Sequence, residues 1–468
     1  MTSLPAGTGT GIDLPGGRAR IVVVEGRRRL AVPATTDGFE GRLVRADDGA
    51  LRLVELTTTA AARVRELVPA LRPRPLAGGR CSFGFGDRLG LATPGHVRAL
   101  RGRDGPPAPV LAQQSARELH RTRRTFVDVL DAATWGVLEA GWTYGYGADA
   151  DHLRAVPDVE AAVAAGFTML TLDPSAHVDA VAAELDGAEL ARRVEALPWT
   201  ELEDDWASLR RRYEGQPDAD LQLARTAATY GRALAHLVTL ARAVEATTPE
   251  PLDVEVSVDE TPAATTLFAH RFLATELNRL GVRFTGLAPR FPGVWRKGVD
   301  VSGDLGEIAR AAAAHARVAA EGGYTVSVHS GSDKLSVFPS LAAAGGSWHV
   351  KTSGTSYLEA LRVVARTDPA LFRDVLALAR RSLAEDRLSY EIAASAGVPE
   401  PPLGDAVLPG LLDDPDVRQC LHVTYGSVLT DDDVAQRLHA RLVERAGAYE
   451  DALASHFDRH LDALGALA

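Results

Sequence analysis

Residues 324–334, YTVSVHSGSDK, and residues 348–360, WHVKTSGTSYLEA, each run a short apolar stretch into a polar cluster that contains a histidine or a lysine. Short runs rich in β-branched residues and bounded by Gly and Ser read as β-strands. Solvated loops account for polar residues after strands in general, but not for apolar strands that end in His and Lys together. The pattern recurs in CSFGFGD (81–87), PVLAQQS (109–115), WTYGYGADADH (142–152), FTMLTLDPS (167–175), LDVEVSVDE (252–260), FTGLAPRF (284–291) and LHVTYGS (421–427). Ala-, Leu- and Arg-rich helical stretches separate these runs, and strand–helix–strand repetition implies a parallel sheet covered on both faces. Nine candidates are one more than a (β/α)8 barrel needs, so one of the first three is expected to lie outside it. Because so many strand ends carry polar clusters, the expected fold is α/β, a TIM-type (β/α)8 barrel; an open doubly wound sheet would gather its site at one switch point.

Two additions flank this pattern. Residues 1–79 read as a leader and a small β-rich unit, with runs such as RARIVVVEG and ALRLVELTT broken by Gly and Asp turns. The barrel is expected over 80–468, interrupted at about 176–248 by a helical insertion whose apolar residues repeat with a period near 3.6.

Composition narrows the class. The chain has 468 residues, 46% hydrophobic and 24% charged, which is ample for a large core. A net charge of -11 argues against nucleic acid or an anionic membrane as partner. No apolar run reaches membrane-spanning length, and the N-terminus lacks the basic and apolar regions of a signal peptide, so a cytoplasmic location is expected. The two cysteines, Cys81 and Cys420, form no CxxC pair. The N-terminal unit is expected to make contacts with further copies of the chain in a homo-oligomer.

Only three of the 51 Lys and Arg residues are lysines, and all three follow strands: Lys297, Lys334 and Lys351. An ammonium is a compact point charge on a flexible stem, suited to holding one oxygen in a way that a planar guanidinium is not. A polyanion or polyol site built from consecutive strand ends follows. His152 and His329 also close strands, and imidazoles entering one cavity from separate strands suit a divalent transition metal. The third ligand is open among His270, Asp259, Glu260 and Asp300. There is no HExxH, GxGxxG between strand and helix, GxxxxGK[ST] or GxSxG, which disfavours zincins, Rossmann dehydrogenases, P-loop enzymes and serine hydrolases. A Schiff base on Lys334 or Lys351 fits the neighbouring His and Asp residues less well than metal-assisted catalysis does.

The blocks SFGFGDRLGLATPGHVRAL, LAQQSARELHRTRRT, GADADHL, SVDETPAATTLFAH, LAPRF, KGVDVSGDL, SVHSGSDKLSVFP, HVKTSGTSYLEALRVVA and RQCLHVTYGSVL run in order from about residue 80 to 428. Together they resemble the tagaturonate epimerases of bacterial hexuronate catabolism. KGVDV and KTSGT depart from that family's usual wording at one residue each, outside the His, Asp, Glu and Lys positions. The resemblance implies a metal-dependent isomerase that interconverts D-tagaturonate and D-fructuronate by inversion at C4.

C4 is β to the C2 ketone, so its hydrogen is not acidified and enolisation alone cannot invert it. Retro-aldol cleavage of C3–C4 and re-addition to the other face of the aldehyde can, given a Lewis acid and paired proton-transfer groups. Transient oxidation at C4 would need a nicotinamide, for which no binding fingerprint exists. On this reading His152, His270 and His329 bind a divalent cation, for which Mn2+, Ni2+ and Zn2+ are the candidates. Asp151 accepts and Glu260 donates a proton. Lys297, Lys334, Lys351 and Arg290 bind the substrate carboxylate and hydroxyls, aided by Ser330 and Thr352, with Asp87 and Gln114 at the far end of the sugar. The alternatives are a class II aldolase-like enzyme acting on a phosphorylated ketose, which would release two trioses, and a non-catalytic sugar-acid binding protein.

Overall fold

In the computed structural model, which describes residues 10–46, 49–76, 81–215 and 219–465, the N-terminal runs pair into a five-stranded antiparallel sheet. Its strands are β1 (Ile12–Leu14), β2 (Gly17–Val24), β3 (Arg27–Pro33), β4 (Arg42–Ala46) and β5 (Gly49–Val54), in the order β1-β2-β3-β5-β4. The turn between β2 and β3 is made by Glu25 and Gly26, both at positive φ (52° and 73°), the two-residue geometry that matches the twist of a hairpin. Alternation sends Ala19, Ile21, Leu30 and Val32 into the main core of the molecule, while Val22, Ala31, Val44 and Leu53 cluster on the opposite face. The leader expected at the N-terminus lies outside the described residues over 1–9, and from Ile12 the chain already belongs to the sheet.

The remaining strands form a closed, all-parallel barrel: β6 (Ser82–Gly86), β7 (Ala108–Ser115), β8 (Gly147–Leu153), β9 (Met169–Leu172), β10 (Asp253–Ser257), β11 (Gly286–Ala288), β12 (Thr325–Val328) and β13 (Trp348–Thr352). Closure is made by β13 against β6, with Lys351 opposite Gly84 and Thr352 opposite Phe85. The chain is therefore an eight-stranded α/β barrel with a separate antiparallel sheet.

All eight earlier candidate runs are barrel strands, so the surplus one is the last rather than one of the first three. Residues 421–427 lie in two helices, Pro415–Val423 and Tyr425–Leu429. Asp414 caps the first by accepting from the amides of Asp416 and Val417, and Pro415 opens it. Every residue from Val417 to Val423 is buried, so neither alternation nor a helical period marks this run, and the capped start decides it.

Between β9 and β10 the chain is helical. Short helices Gly187–Glu195 and Trp206–Arg212 lead into the 29-residue helix Ala219–Thr247, which packs beside Val156–Ala165 on one side and Leu267–Arg279 on the other. That is the place of a barrel crossover helix. Among the described residues no helix is long and apolar enough to cross a membrane.

The closure seam tolerates no side chain at Gly86. An added Cβ would stand 2.5 Å from Ser353 Cα and 2.7 Å from the carbonyl oxygens of Thr352 and Ser353, all backbone atoms that cannot swing aside. Gly86→Ala is expected to destabilise the fold by roughly 2–4 kcal/mol in urea denaturation. Gly447→Ala, whose added Cβ would meet nothing within 4 Å, should leave the midpoint at or above that of the parent chain.

Candidate active site

In a regular strand, Asp149 and Asp151 of GADADHL share the face that looks into the barrel, and His152 faces the other way. The pairing of β8 with β9 slips between Ala150 and Leu153, and His152 takes a φ of 55°. This irregularity brings the His152 ring back beside Asp151, so that two consecutive residues serve one centre. A left-handed backbone at a non-glycine residue costs on the order of 1–3 kcal/mol and persists where surrounding contacts demand it. Here Asp173, at the end of β9, accepts from His152 Nδ1 at 3.0 Å, from Arg154 Nε at 2.8 Å and from the Ser175 amide at 2.8 Å.

His329 follows β12 and meets this arrangement from the opposite side. Its Nε2 is 2.5 Å from Glu255 Oε1, and its Nδ1 is 3.3 Å from His152 Nε2 and 3.2 Å from Asp259 Oδ1. Asp151 Oδ1 is 3.8 Å from His152 Nε2. Each imidazole thus rests its outer nitrogen on a carboxylate and turns the inner one toward a shared point flanked by two more carboxylates. Carboxylates behind imidazoles are the usual support of metal-binding histidines. Two nitrogens bound to one cation at the usual metal–nitrogen distance would be separated by about 3.0–3.4 Å. Asp151, His152 and His329 each turn a ligand atom toward the others closely enough to be compatible with a divalent cation, and Asp259 stands beside His329.

Beneath this cluster Lys351, from β13, fills the barrel axis. Its Nζ is 2.8 Å from Asp149 Oδ2, 2.9 Å from Asp151 Oδ1, 2.8 Å from Glu255 Oε1 and 2.6 Å from Thr171 Oγ1. Burial opposes its charge, but Asp149, Asp151 and Glu255 prevail and hold the ammonium well above its ordinary value. One ammonium cannot balance three carboxylates: burial pushes Asp149 up to about 6 despite Lys351. Asp151 goes the other way, held down at about 2 because His152, Lys351 and His329 outweigh its burial. The histidines carry the compensating protons. Against burial, Asp151 and Asp173 raise His152 to about 9; against burial and Lys351, Asp259 and Glu255 raise His329 to about 10.

Above the cluster opens a cavity of about 680 Å³, walled by Arg117, Asp259, Glu260, Arg290, Lys297 and Ser330, with Tyr390 at its rim. Lys297 Nζ donates to Ser330 Oγ at 3.1 Å. Arg290 reaches the Asp259 carbonyl and Glu391, each at 3.3 Å. Glu260 lies between Arg117 (2.8 Å) and Arg154 (2.5 Å). Burial favours its protonation, but His152 and Arg117 outweigh that and keep the carboxyl below its ordinary value.

The structure brings together Asp151, His152, His329 and Glu260 with Arg290, Lys297 and Ser330, and places other expected residues elsewhere. His270 is not near the cluster. It sits on the buried face of Leu267–Arg279, with Nδ1 2.7 Å from His315 Nδ1 and Nε2 2.8 Å from the Tyr324 hydroxyl, and the third group beside His152 and His329 is Asp151. Lys334 is buried and donates to the carbonyls of Arg296, Val299 and Ser332 rather than facing the cavity; burial, opposed by Asp333, lowers it to about 7. Lys351 is likewise wholly engaged inside the barrel. Asp87 accepts from the amides of Leu89, Gly90 and Ala92, shaping the turn after β6. Gln114 donates to Glu118, and Thr352 to the Gly84 carbonyl.

Asp149, Glu255, Asp173, Arg117 and Arg154 had not been assigned roles. The available signal was charge at alternate positions inside otherwise apolar strands, Asp149 and Asp151 in β8 and Glu255 in β10, which marks the inner face of a barrel.

The sequence model of the UxaE family, tagaturonate epimerase, matches residues 17–464. The chain is 44% identical over 407 residues to the tagaturonate/fructuronate epimerase of Thermotoga maritima, covering 86% of this chain and 84% of that protein. It is also similar to crystal structures of the fructuronate-tagaturonate epimerase UxaE from Cohnella laeviribosi, native and with one glycerol. Each has a TM-score of 0.89 and 35% identity, over 97% of this chain and 95% of that one.

The His270–His315 pair gives a pH dependence of stability. Burial, with His315 and Arg271 adding to it, lowers His270 to about 3, and burial lowers His315 to about 4. The unfolded chain takes up protons near pH 6.5 that the folded chain refuses until pH 3 to 4. Stability is therefore lost as pH falls below about 6.5, by up to roughly 1.4 kcal/mol per pH unit for each histidine. The urea midpoint should fall between pH 7 and pH 5, and His315→Gln should show a smaller fall than the parent chain. An equal fall in both would assign the effect to other groups.

Proposed function

Because the chain belongs to the tagaturonate epimerase family, we propose that it interconverts D-tagaturonate and D-fructuronate by inverting C4. The observation that carries this reading is the facing pair His152 Nε2 and His329 Nδ1, bounded by Asp151 and Asp259, at the floor of a cavity lined by Arg117, Arg290 and Lys297. A six-carbon sugar acid needs both ends of such a site: cationic side chains for its carboxylate and a polar floor for its carbonyl and hydroxyls. A divalent cation held by Asp151, His152 and His329, with Asp259 beside His329, would supply Lewis acidity toward a carbonyl oxygen.

Asp151, held ionised, removes the C4 hydroxyl proton. The C3–C4 bond then breaks, its electron pair passes to the C2 carbonyl to give an enolate, and C4 becomes an aldehyde carbon. Rotation of the aldehyde and re-addition restore the bond with C4 inverted. Glu260 gives a proton to the new alkoxide. His152 and Arg117 keep Glu260 ionised in the free enzyme; it takes up a proton from solvent when the substrate carboxylate competes for Arg117. Asp151 releases the C4 hydroxyl proton to solvent at the end of the cycle, so that no net proton is gained or lost. Lys297 and Arg290 bind the carboxylate, and Ser330 a hydroxyl. Through all of this the C4–H bond stays intact.

Chelated enzyme incubated with D-fructuronate should give no tagaturonate by NMR, and Mn2+, Ni2+ or Zn2+ should restore conversion. His329→Ala and Asp259→Asn should lose at least about 10²-fold in kcat/KM at saturating cation, whereas His270→Gln should retain cation-dependent turnover in whatever fraction folds. Conversion that survives exhaustive chelation would remove the cation from the reading.

The cleavage route makes its own forecast. D-Fructuronate carrying deuterium at C4 should retain the label in tagaturonate, with no primary isotope effect on kcat. A large primary effect would replace retro-aldol chemistry by oxidation at C4.

A further inference from the structure

Residues 294–302 leave the barrel end after β11 as a closed loop. Its neck is a bridge in which the Val294 amide donates to the Ser302 carbonyl at 2.8 Å and the Ser302 amide donates back at 3.2 Å. The tip carries Lys297, whose Nζ stands on the cavity wall against Ser330, the neighbour of His329. Backbone carbonyls on both sides of Lys297 are captured by buried cations from elsewhere in the fold. Lys334 Nζ donates to Arg296 O at 2.9 Å and Val299 O at 2.5 Å, and to Ser332 O in its own turn at 3.0 Å. Arg418 Nε donates to Gly298 O at 2.8 Å, while its Nη1 holds Leu412 O at 2.9 Å and its Nη2 pairs with Asp333 at 2.8 Å. Asp300 completes the attachment by accepting from the Ser336 amide and hydroxyl.

We propose that Lys334 and Arg418 are positioning residues that fix the 296–300 backbone so that Lys297 meets the substrate carboxylate. This rests on the carboxylate-binding role of Lys297 given above. Three carbonyls converging on one point suit the three donors of an ammonium, which a flat guanidinium could not match. Arg418, whose partners are a carbonyl on each of two segments and a carboxylate, instead uses the spread of its fork. Lysine in an arginine-rich chain is thereby explained at a position that touches no substrate.

The scarcity of lysine makes the test direct. Protein labelled with [13Cε]lysine gives three side-chain signals, those of Lys297, Lys334 and Lys351. Lys334→Met is expected to shift or broaden the Lys297 signal, to raise KM for D-fructuronate about tenfold or more, and to change kcat by less than about threefold, because the lost interaction is one of binding. In a Lys297→Ala background, Lys334→Met should add little to KM, since it acts through the missing side chain. An unchanged Lys297 signal, or KM effects that multiply in the double variant, would overturn the proposal. Should Lys334→Met not fold, Arg418→Lys, which keeps the charge beside Asp333 but loses the fork, replaces it with the same expectations. If Lys297→Ala leaves KM unchanged, the carboxylate-binding role of Lys297 fails, while the NMR signal still decides whether the loop is held as proposed.

Discussion

The ammonium of Lys351, set among Asp149, Asp151 and Glu255, is the constraint from which the rest of the site follows. Taking an ion out of water costs several kcal/mol after relaxation, and three carboxylates around one ammonium leave negative charge uncompensated. The barrel resolves this locally. Glu255 is shared with His329, Asp151 lies beside His152, and the two imidazoles hold protons at pH values where free histidine has lost them. A divalent cation between the two ring nitrogens would replace those two protons charge for charge. The charged barrel axis and the paired imidazoles at its open end are thus one electrostatic arrangement.

That arrangement also explains the backbone. A strand presents every second residue to the barrel interior, so β8 can contribute Asp149 and Asp151 at no conformational cost but not Asp151 and His152 together. The slip in the β8–β9 pairing and the left-handed His152 are the cost of adding the imidazole next to the carboxylate. Asp173, Arg154 and Glu260 then form a chain of ion pairs that keeps the turned histidine in place. Each link sits at the end of a different strand or in the loop that follows it, which is why the site needs a closed barrel beneath it.

Much of this was legible in the sequence, and the failures have physical causes. Eight strands could be read because each is a short β-branched or aromatic run bounded by turn residues. The ninth reading, LHVTYGS, failed because β-branched residues also fill helices that are held by tertiary packing. The Asp414–Pro415 start signal lay seven residues upstream of it. His152 and His329 could be read because a histidine closing an apolar strand has nowhere to go but the barrel mouth. His270 could not be excluded from the ligand set: Thr266 signals a helix start four residues before it, but a cap does not tell which face of the helix meets the barrel mouth. The second and third carboxylates of the barrel axis were visible as alternation in GADAD and DVEVS. Only the closed barrel reveals that they meet on one lysine.

The three lysines began as an anomaly of composition, and the structure separates them into three physical tasks. Lys351 is surrounded by carboxylate oxygens from different strands and needs a charge small enough to fit on the barrel axis. Lys334 collects three carbonyls from two loop segments and needs three donors radiating from one atom. Lys297 reaches from a tethered loop to a serine on the cavity wall and needs a long stem with a single charged tip. A guanidinium spreads its donors over a plane about as wide as a carboxylate, which suits the paired ions elsewhere in this arginine-rich chain but none of these three positions. Position-specific acceptor geometry, rather than charge, therefore determines where this chain departs from arginine, and all three departures lie in or directly behind the site.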